Sequence, residues 1–249
     1  MLIYFYGLIF FFGAALGSFY HVVGYRMPIG LDFVNDRSRC PHCETQLRSF
    51  ELLPVISYLI QRGRCRTCHT PIKFIYVLSE IISGFLFLWP VIQYGFLGFE
   101  TGEIFVAWAF ASMLIIISVS DIYYQLILDK VLVFFSIVFM SLYVIYPQYS
   151  LINGLIGGLS GFLILLAISY IGKLIFKKET LGGGDIKLYA VIGFILGIQM
   201  TILSLLGASI LAFIYSVIFM KNKTNPIAFG PFISMSAYIC LFYNAFLQS

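Results

Sequence analysis

Long apolar runs separated by short polar segments dominate the chain. A helix needs roughly 20 apolar residues to span the hydrocarbon core of a bilayer. The runs do not alternate as barrel strands do, and lipid leaves unpaired backbone groups unsatisfied, which favours helices. The pattern predicts an all-α integral membrane protein with about eight transmembrane helices, of which the sixth is the shortest. The predicted spans are 2–23, 74–97, 104–120, 131–147, 151–172, 186–199, 201–220 and 231–247.

Composition supports a membrane protein, and the charges predict its orientation. The 249 residues are 61% hydrophobic and 10% charged, with a mean hydropathy of +0.97, which excludes an ordinary soluble domain. If the N-terminus is outside, all 15 Lys and Arg residues fall in cytosolic connections. Glu100 and Glu103 then lie in an outer connection without a basic residue, so the positive-inside rule gives one orientation, with both ends outside. The net charge of +4 reports topology, and no nucleic acid contact is expected.

One sizeable polar segment, residues 24–73, follows the first span and carries four of the five cysteines. Cys40 and Cys43 form one C-x-x-C pair, and Cys65 and Cys68 form a second, which is close to the spacing of zinc ribbons. A cytosolic location disfavours two disulfides. A segment of this size has little core of its own, so a structural Zn²⁺ ion would supply folding energy. We expect a small cytosolic zinc-knuckle insertion after the first helix.

The remaining metal-ligand residue types receive simpler interpretations. Four thiolates would leave no open coordination position, so a catalytic zinc is not favoured. His42 and His69 lie within or beside the knuckles and are expected to be exposed loop residues. Cys240 lies in the last apolar span and is expected to be a small core residue.

Two aspartates stand at the predicted cytosolic edges of apolar spans. Asp121 follows the third span, and Asp185 precedes the sixth directly after Gly182-Gly183-Gly184. Both could be interfacial polar residues, and Asp185 could be a helix N-cap. Three consecutive glycines, however, offer a bare backbone that an extended peptide could approach closely. Two carboxylates that meet at a membrane surface favour an aspartyl protease, whereas Asp129 is better explained as an interfacial residue.

These motifs, taken in order, resemble the type IV prepilin peptidase family of leader peptidases and N-methyltransferases. The similarity runs from about Gly17 to Pro231, and the cytosolic segment looks closest to Gram-positive members that serve competence pseudopili. The elements that carry it are Gly17-Ser18-Phe19, Tyr25-Arg26-Met27-Pro28, the two C-x-x-C pairs, Pro54-Val55-Ile56-Ser57-Tyr58, Arg62-Gly63-Arg64-Cys65, Asp121 to Asp129, Gly182-Gly183-Gly184-Asp185-Ile186-Lys187 and Phe229-Gly230-Pro231-Phe232.

The resemblance implies cleavage of prepilin or pseudopilin precursors at the cytosolic membrane face, after the glycine that ends a basic leader. Asp121 and Asp185 would be catalytic, and N-methylation of the new N-terminal residue would require S-adenosylmethionine, a cofactor implied by the resemblance only. Glu80, a turn or two inside the second span, matches a family Glu and is a functional candidate that an Arg could equally neutralise. The candidate substrate- or cofactor-binding residues are Gly17, Arg26, Arg64, Glu80, Gly182, Gly183, Gly184 and Lys187.

Acid–base chemistry assigns different roles to the two aspartates. Peptide hydrolysis needs one ionised carboxylate to take a proton from water and one protonated carboxyl to polarise the scissile carbonyl. The C-terminal end of a helix disfavours a negative charge, and the N-terminal end favours it. We therefore predict Asp185 as the base and Asp121 as the acid.

The acidic residues of the segment 24–73 have two interpretations. They could contact the basic leader of a precursor, or they could form a solvated face paired with neighbouring arginines, which is the more common case. These residues are Asp32, Asp36, Glu44 and Glu51.

Two further functions stay open at this stage. A carboxylate-relay transporter would use acids nearer the bilayer midplane and an internal repeat. A zinc-ribbon membrane scaffold would leave the glycine-Asp motif without a role. The predicted organisation is residues 1–23 as a first transmembrane helix, 24–73 as the four-cysteine domain with the methyltransferase candidates, and 74–249 as the peptidase core. The first span lacks the basic start and cleavage site of a signal peptide, so we expect a retained anchor.

Overall fold

A computed structural model describes residues 2–95, 101–146, 150–177, 181–219 and 227–248. These residues form α-helices, two short 3-10 turns and two isolated β-bridges, so the all-α prediction is confirmed. Glu100, Lys178, Lys221 and Lys223, which the orientation argument used, lie outside the described residues. The helices are α1 (Leu2–Arg26), α2 (Ile56–Ile60), α3 (Phe74–Tyr94), α4 (Thr101–Tyr124), α5 (Asp129–Ile145), α6 (Leu151–Phe176), α7 (Gly183–Phe219) and α8 (Gly230–Gln248).

The number of helices long and apolar enough to span a membrane is lower than the eight predicted. Within the described residues there are five, which belong to α1, α3, α4, α6 and α7. The predicted spans 186–199 and 201–220 correspond to the two parts of α7, which are separated by non-helical backbone at Gly197. Helix α5 has 17 residues, and the apolar helix described at Gly230–Tyr243 is also shorter than a full span. The sequence located these helices, and it overestimated how many are separate full-length spans.

Gly197 marks the place where the two predicted spans of α7 meet. Its φ of 72° and ψ of 176° are not helical, so the backbone changes direction at this residue. Glycine reaches this conformation without the clash that a Cβ would cause. The hydroxyl of Thr201 donates to the Gly197 carbonyl at 2.6 Å and so satisfies a backbone acceptor beside the break.

The chain divides into two compact units, Met1–Ile116 and Ile117–Ser249. In the first unit, α1 and α3 pack closely because small residues face each other. A Cβ at Gly17 would overlap the side chain of Ser83, and the Ser83 hydroxyl donates to the Gly13 carbonyl at 2.7 Å. Such small-residue contacts allow membrane helices to approach at backbone distance.

The second unit is built on a similar contact between α6 and α7. A Cβ at Gly157 would overlap the carbonyl of Gly193, a Cβ at Gly193 would overlap that of Gly157, and a Cβ at Gly161 would overlap that of Tyr189. Helix α7 also packs against α8. This packing fixes the first turn of α7 and the start of α8 within one unit, and both contribute to the site described next.

Candidate active site and metal centre

Asp121 and Asp185 lie at opposite kinds of helix terminus within the second unit. Asp121 is in the last turn of α4 and is only 6% exposed. Asp185 is in the first turn of α7, and its amide already donates to the Gly182 carbonyl at 3.1 Å. It therefore lies inside the helix start rather than at an N-cap. These positions place Asp121 at the negative end of one helix dipole and Asp185 at the positive end of another.

The start of α8 supports Asp121. The amide of Gly230 donates to Asp121 Oδ2 at 2.6 Å. A Cβ at position 230 would come within 2.8 Å of the same oxygen, so the close approach requires glycine. Gly230 belongs to the Phe229–Phe232 motif of the sequence, but it was not among the predicted site residues. The motif was a signal, but the partner lies 109 residues away in the chain.

The three glycines before Asp185 differ in their surroundings. A Cβ at Gly182 would lie 3.2 Å from Asp185 Oδ2, and one at Gly184 would lie 2.8 Å from the Cβ of Ile127. A Cβ at Gly183 would meet nothing within 4 Å. Two of the glycines thus allow close packing inside the protein. Gly183 faces open space, which is what we expect of a backbone segment that an extended peptide approaches.

The two carboxylates lie within electrostatic range of each other. Like charges at short range cannot both ionise easily, and a pair of this kind commonly holds one proton between two carboxyl groups. Such a pair can take a proton from water with one member and donate one to a carbonyl oxygen with the other. The arrangement therefore supplies the two groups that hydrolysis of a peptide bond requires.

Lys187 and Asp129 form an ion pair beside this site. The lysine Nζ lies 2.9 Å from Asp129 Oδ1 and 2.8 Å from Oδ2, and both side chains are more than half exposed. The pair links the second turn of α7 to the first residue of α5. Lys187, a candidate ligand-binding residue, thus has a protein partner, and Asp129 is an exposed interfacial residue.

The four cysteines of the polar segment form one cluster. Their Sγ atoms all lie within 4.8 Å of one another, with 3.8 Å between Cys40 and Cys68 and 3.9 Å between Cys43 and Cys65. A disulfide would require about 2.05 Å, whereas four thiolates at about 2.3 Å from a tetrahedral Zn²⁺ ion are about 3.8 Å apart. The donor set and the spacing fit a closed four-sulfur metal site.

The two knuckles have the same backbone design. The Cys40 amide donates to the Thr45 carbonyl at 3.0 Å, and the Cys65 amide donates to that of Thr70 at 2.9 Å. The residue after each second cysteine has a positive φ, 56° at Glu44 and 58° at His69. His42 and His69 are exposed, as predicted.

Local hydrogen bonds prepare some of the thiols to act as thiolates. The Thr70 hydroxyl, 3.2 Å from Cys68 Sγ, lowers the pKa of Cys68 to about 6. The Thr45 hydroxyl similarly lowers the pKa of Cys43. Burial raises the pKa of Cys40 to about 11, and a cation beside this thiol would favour its thiolate form. A divalent ion would supply that charge.

Glu80 holds a strained turn in the first unit. Its Oε2 accepts a hydrogen bond from the Val55 amide at 2.7 Å, and the Ser18 hydroxyl also hydrogen-bonds this carboxylate. Val55 has φ 62° and ψ −49°, and the Ile56 amide donates to the Pro54 carbonyl at 2.6 Å. This is a γ-turn of the rare, strained kind, in which a β-branched residue is unusual. Strain of this sort persists only where the surroundings impose it.

The other candidates of the first unit make contacts within the protein. Gly17 packs on Ser83, and the Arg26 guanidinium donates to the carbonyls of Asp32 at 3.0 Å and Asp36 at 2.8 Å. Arg64 lines a groove of about 760 Å³, which none of Gly17, Arg26 or Glu80 lines. These four residues therefore do not assemble a single cradle for S-adenosylmethionine in the described part of the chain.

Three of the four acidic residues of the polar segment are engaged locally. Asp32 Oδ1 accepts from the amides of Val34 and Asn35, and these bonds lower the pKa of Asp32. Asp36 lies 3.5 Å from Arg39, and Glu51 accepts from the Arg48 amide at 2.8 Å. The contacts favour a solvated face paired with neighbours.

Comparisons with known proteins agree over nearly the whole chain. Residues 11–94 match the bacterial peptidase A24 N-terminal domain, and residues 108–217 match the type IV leader peptidase family. A prepilin leader peptidase/N-methyltransferase of Bacillus subtilis is 35% identical over 95% of this chain and 94% of that protein. A protein of the same description from Neisseria gonorrhoeae is 28% identical over 93% and 88%. A type 4 prepilin-like proteins leader peptide-processing enzyme of Escherichia coli is 30% identical over 94% and 92%. No solved structure matches.

Proposed function

Because the chain belongs to the type IV leader peptidase family, we propose that it is a membrane aspartyl endopeptidase that removes the leader from type IV prepilin-like precursors. The catalytic residues in this proposal are Asp121 and Asp185. The observation that carries it is their arrangement at two helix termini of one unit, with Gly230 donating to Asp121. The names of the relatives support the substrate class.

In the proposed mechanism Asp185 is the base. It takes a proton from a water molecule, whose oxygen attacks the scissile carbonyl carbon, while Asp121 donates a proton to the carbonyl oxygen. Collapse of the tetrahedral intermediate breaks the C–N bond, and the proton now on Asp185 passes to the leaving amine. One hydroxyl of the intermediate returns its proton to Asp121 as the new carboxyl group forms, so both aspartates regain their starting states. The Gly230 amide occupies Asp121 Oδ2, so Oδ1 is the oxygen that can carry the donated proton.

The topology suits a substrate that is half in the membrane. A prepilin-like precursor has a basic leader in the cytosol and an apolar helix in the bilayer. A site in the end turns of α4 and α7, on the side where the basic residues collect, meets the junction without drawing a peptide bond into the bilayer centre. The cytosolic side and a competence-type substrate remain predictions from the sequence, as do the domain limits 24–73 and 74–249.

A Zn²⁺ ion held by Cys40, Cys43, Cys65 and Cys68 would be structural in this proposal. The four-sulfur geometry supports a metal, and closed four-thiolate sites are typical of zinc. When bound, the ion joins the two knuckles and gives the segment the stability that its small core cannot supply.

N-methylation of the new N-terminal residue is the second candidate function. The match of residues 11–94 and the names of the relatives favour it, with S-adenosylmethionine as methyl donor. The protein contacts of Gly17, Arg26 and Glu80 give no cofactor geometry, so this activity rests on the family alone. Methyl incorporation into a cleaved precursor, with radiolabelled S-adenosylmethionine, tests it directly.

The deciding experiment is cleavage of a purified prepilin-like precursor in liposomes. We expect Asp121→Asn and Asp185→Asn each to lower the rate by at least about 100-fold, because each removes an acid–base partner. Asp129→Asn is the matched control and should retain cleavage, since Asp129 is exposed and paired with Lys187. Retained cleavage in either of the first two variants would remove that residue from catalysis.

A further inference from the structure

The zinc-knuckle segment has an uneven charge distribution. Residues 24–52 carry four basic and four acidic residues, whereas residues 53–73 carry four basic residues and no acidic one. The two halves contribute two cysteines each, so a divalent ion bound by the four thiolates affects both equally. The second half therefore carries four basic side chains that no acidic side chain in its own sequence offsets.

The same half exposes large apolar side chains. Ile60 is 75% exposed and Leu59 is 68% exposed, and Leu53 and Ile56 are exposed as well. These residues lie on and around the short helix α2, immediately before Arg62 in the chain. Soluble surfaces rarely combine several exposed aliphatic side chains with unneutralised cations, but surfaces that lie at a membrane interface do.

A groove on this surface contains both kinds of group. Its volume is about 760 Å³, and its lining includes Phe50, Leu53 and Ile60 together with Arg62, Arg64 and Arg66. The guanidinium of Arg66 lies over the Phe50 ring, 5.3 Å from the centroid. Apolar walls with guanidinium groups match the junction between a phospholipid headgroup and its acyl chains.

Covalent connection keeps this segment near a membrane surface. The candidate span Leu2–Ile29 ends within its first residues, and the span Phe74–Tyr94 begins just after it. Because α1 and α3 pack against each other, both attachments lie at one face of the bilayer. Basic residues within a Debye length of anionic lipid are attracted to it.

We propose that the surface formed by Leu53, Ile56, Leu59, Ile60, Arg62 and Arg66 docks on anionic phospholipid headgroups of the membrane that α1 and α3 cross. The aliphatic side chains enter the interface, and the guanidinium groups bind the phosphates. A basic leader peptide is a poor occupant, because the four positive charges of residues 53–73 would repel it. This inference rests on the spans and the exposed surface, not on the proposed peptidase chemistry.

Photocrosslinking in nanodiscs tests the contact with the full-length protein. One variant carries p-benzoyl-phenylalanine at Ile60, and the matched control carries it at Val34, which is 72% exposed in the charge-balanced half. We expect position 60 to form lipid adducts that increase when phosphatidylglycerol is added to phosphatidylcholine. Position 34 should form fewer adducts, without this dependence. Adducts from position 60 to protein alone, or equal lipid adducts at both positions, would overturn the proposal.

Charge removal provides the second arm. In the Ile60 probe protein, Arg62→Gln with Arg66→Gln should reduce the phosphatidylglycerol-dependent docking equilibrium roughly fivefold for each arginine removed. Arg37→Gln with Arg39→Gln, in the balanced half, should leave it unchanged. Zinc content checks that each variant is folded. If the Arg62/Arg66 double variant loses zinc, a salt titration of the Ile60 probe protein with both arginines present replaces it. A yield of lipid adducts that does not fall as salt rises from about 0.05 to about 0.5 M would refute the electrostatic contact.

Discussion

Replacing Val55 with glycine and with alanine tests whether the Pro54–Ile56 turn stores strain. The backbone at Val55, with φ 62° and ψ −49°, is unfavourable for any residue that has a Cβ. Relief of such strain is of the order of 1–3 kcal/mol. Glycine itself loses about 0.5–1 kcal/mol relative to alanine through the greater freedom of its unfolded chain. The difference predicts that Val55→Gly is more stable than Val55→Ala by roughly 0.5–2 kcal/mol.

Amide hydrogen exchange of residues 53–66 in detergent or nanodiscs measures this difference as a local opening free energy. A stability difference of that size makes local opening roughly 2- to 30-fold less frequent in Val55→Gly than in Val55→Ala. Val34 is the control, because its φ is negative and its side chain is exposed. At Val34 we expect the usual order, with alanine more stable than glycine.

The role of Glu80 follows from the same measurement. Glu80→Gln keeps an oxygen that can accept from the Val55 amide, whereas Glu80→Ala removes the acceptor. Hydrogen bonds to charged groups contribute about 1.5–3 kcal/mol. We therefore expect amide exchange of residues 53–66 to be slowest with Glu at position 80, faster with Gln and fastest with Ala. If the local opening free energy of Val55→Ala equals or exceeds that of Val55→Gly, the turn is not strained. The carboxylate of Glu80 would then have no strained backbone to hold.

Three further changes test other parts of the molecule. Gly183→Ala should raise the KM for a precursor peptide without lowering thermal stability. Gly184→Ala should lower thermal stability, because only a Cβ at position 184 meets the protein, at Ile127. Equal shifts in melting temperature for the two variants would contradict this. Lys187→Asp or Asp129→Lys alone should lower stability by up to about 1 kcal/mol, and the double exchange should restore it; no recovery would mean that the 2.8 Å pair does not stabilise the protein. Cys40→Ser should release bound metal and make residues 38–72 sensitive to protease, while Cys240→Ser should not release it; retained metal in Cys40→Ser would exclude Cys40 as a ligand.

The sequence predicted the parts of the fold that depend on local composition. Apolar runs located the helices, and the C-x-x-C spacing predicted the sulfur cluster that the structure contains. The apolar runs also separated 186–199 from 201–220, and the structure breaks α7 at Gly197, close to the predicted boundary.

The contacts of the candidate site were harder to predict, for a physical reason. Val and Ile favour extended strands, so nothing local indicates a positive φ at Val55. Every non-proline residue offers a backbone amide, so the sequence could not select Gly230 as the donor to Asp121 or Val55 as the donor to Glu80. Gly17 and Arg26 were candidates for a cofactor, and the structure shows them in helix packing and loop closure instead.

The bond between Gly230 and Asp121 also orders events during synthesis. The carboxylate is translated 109 residues before its donor, and Asp185 emerges between them. A nascent chain that has inserted α4 and α7 therefore carries both acids while Asp121 still lacks the amide that orients it. The hydrogen bond from Gly230 can therefore form only after the start of α8 has been made, when both aspartates are already present.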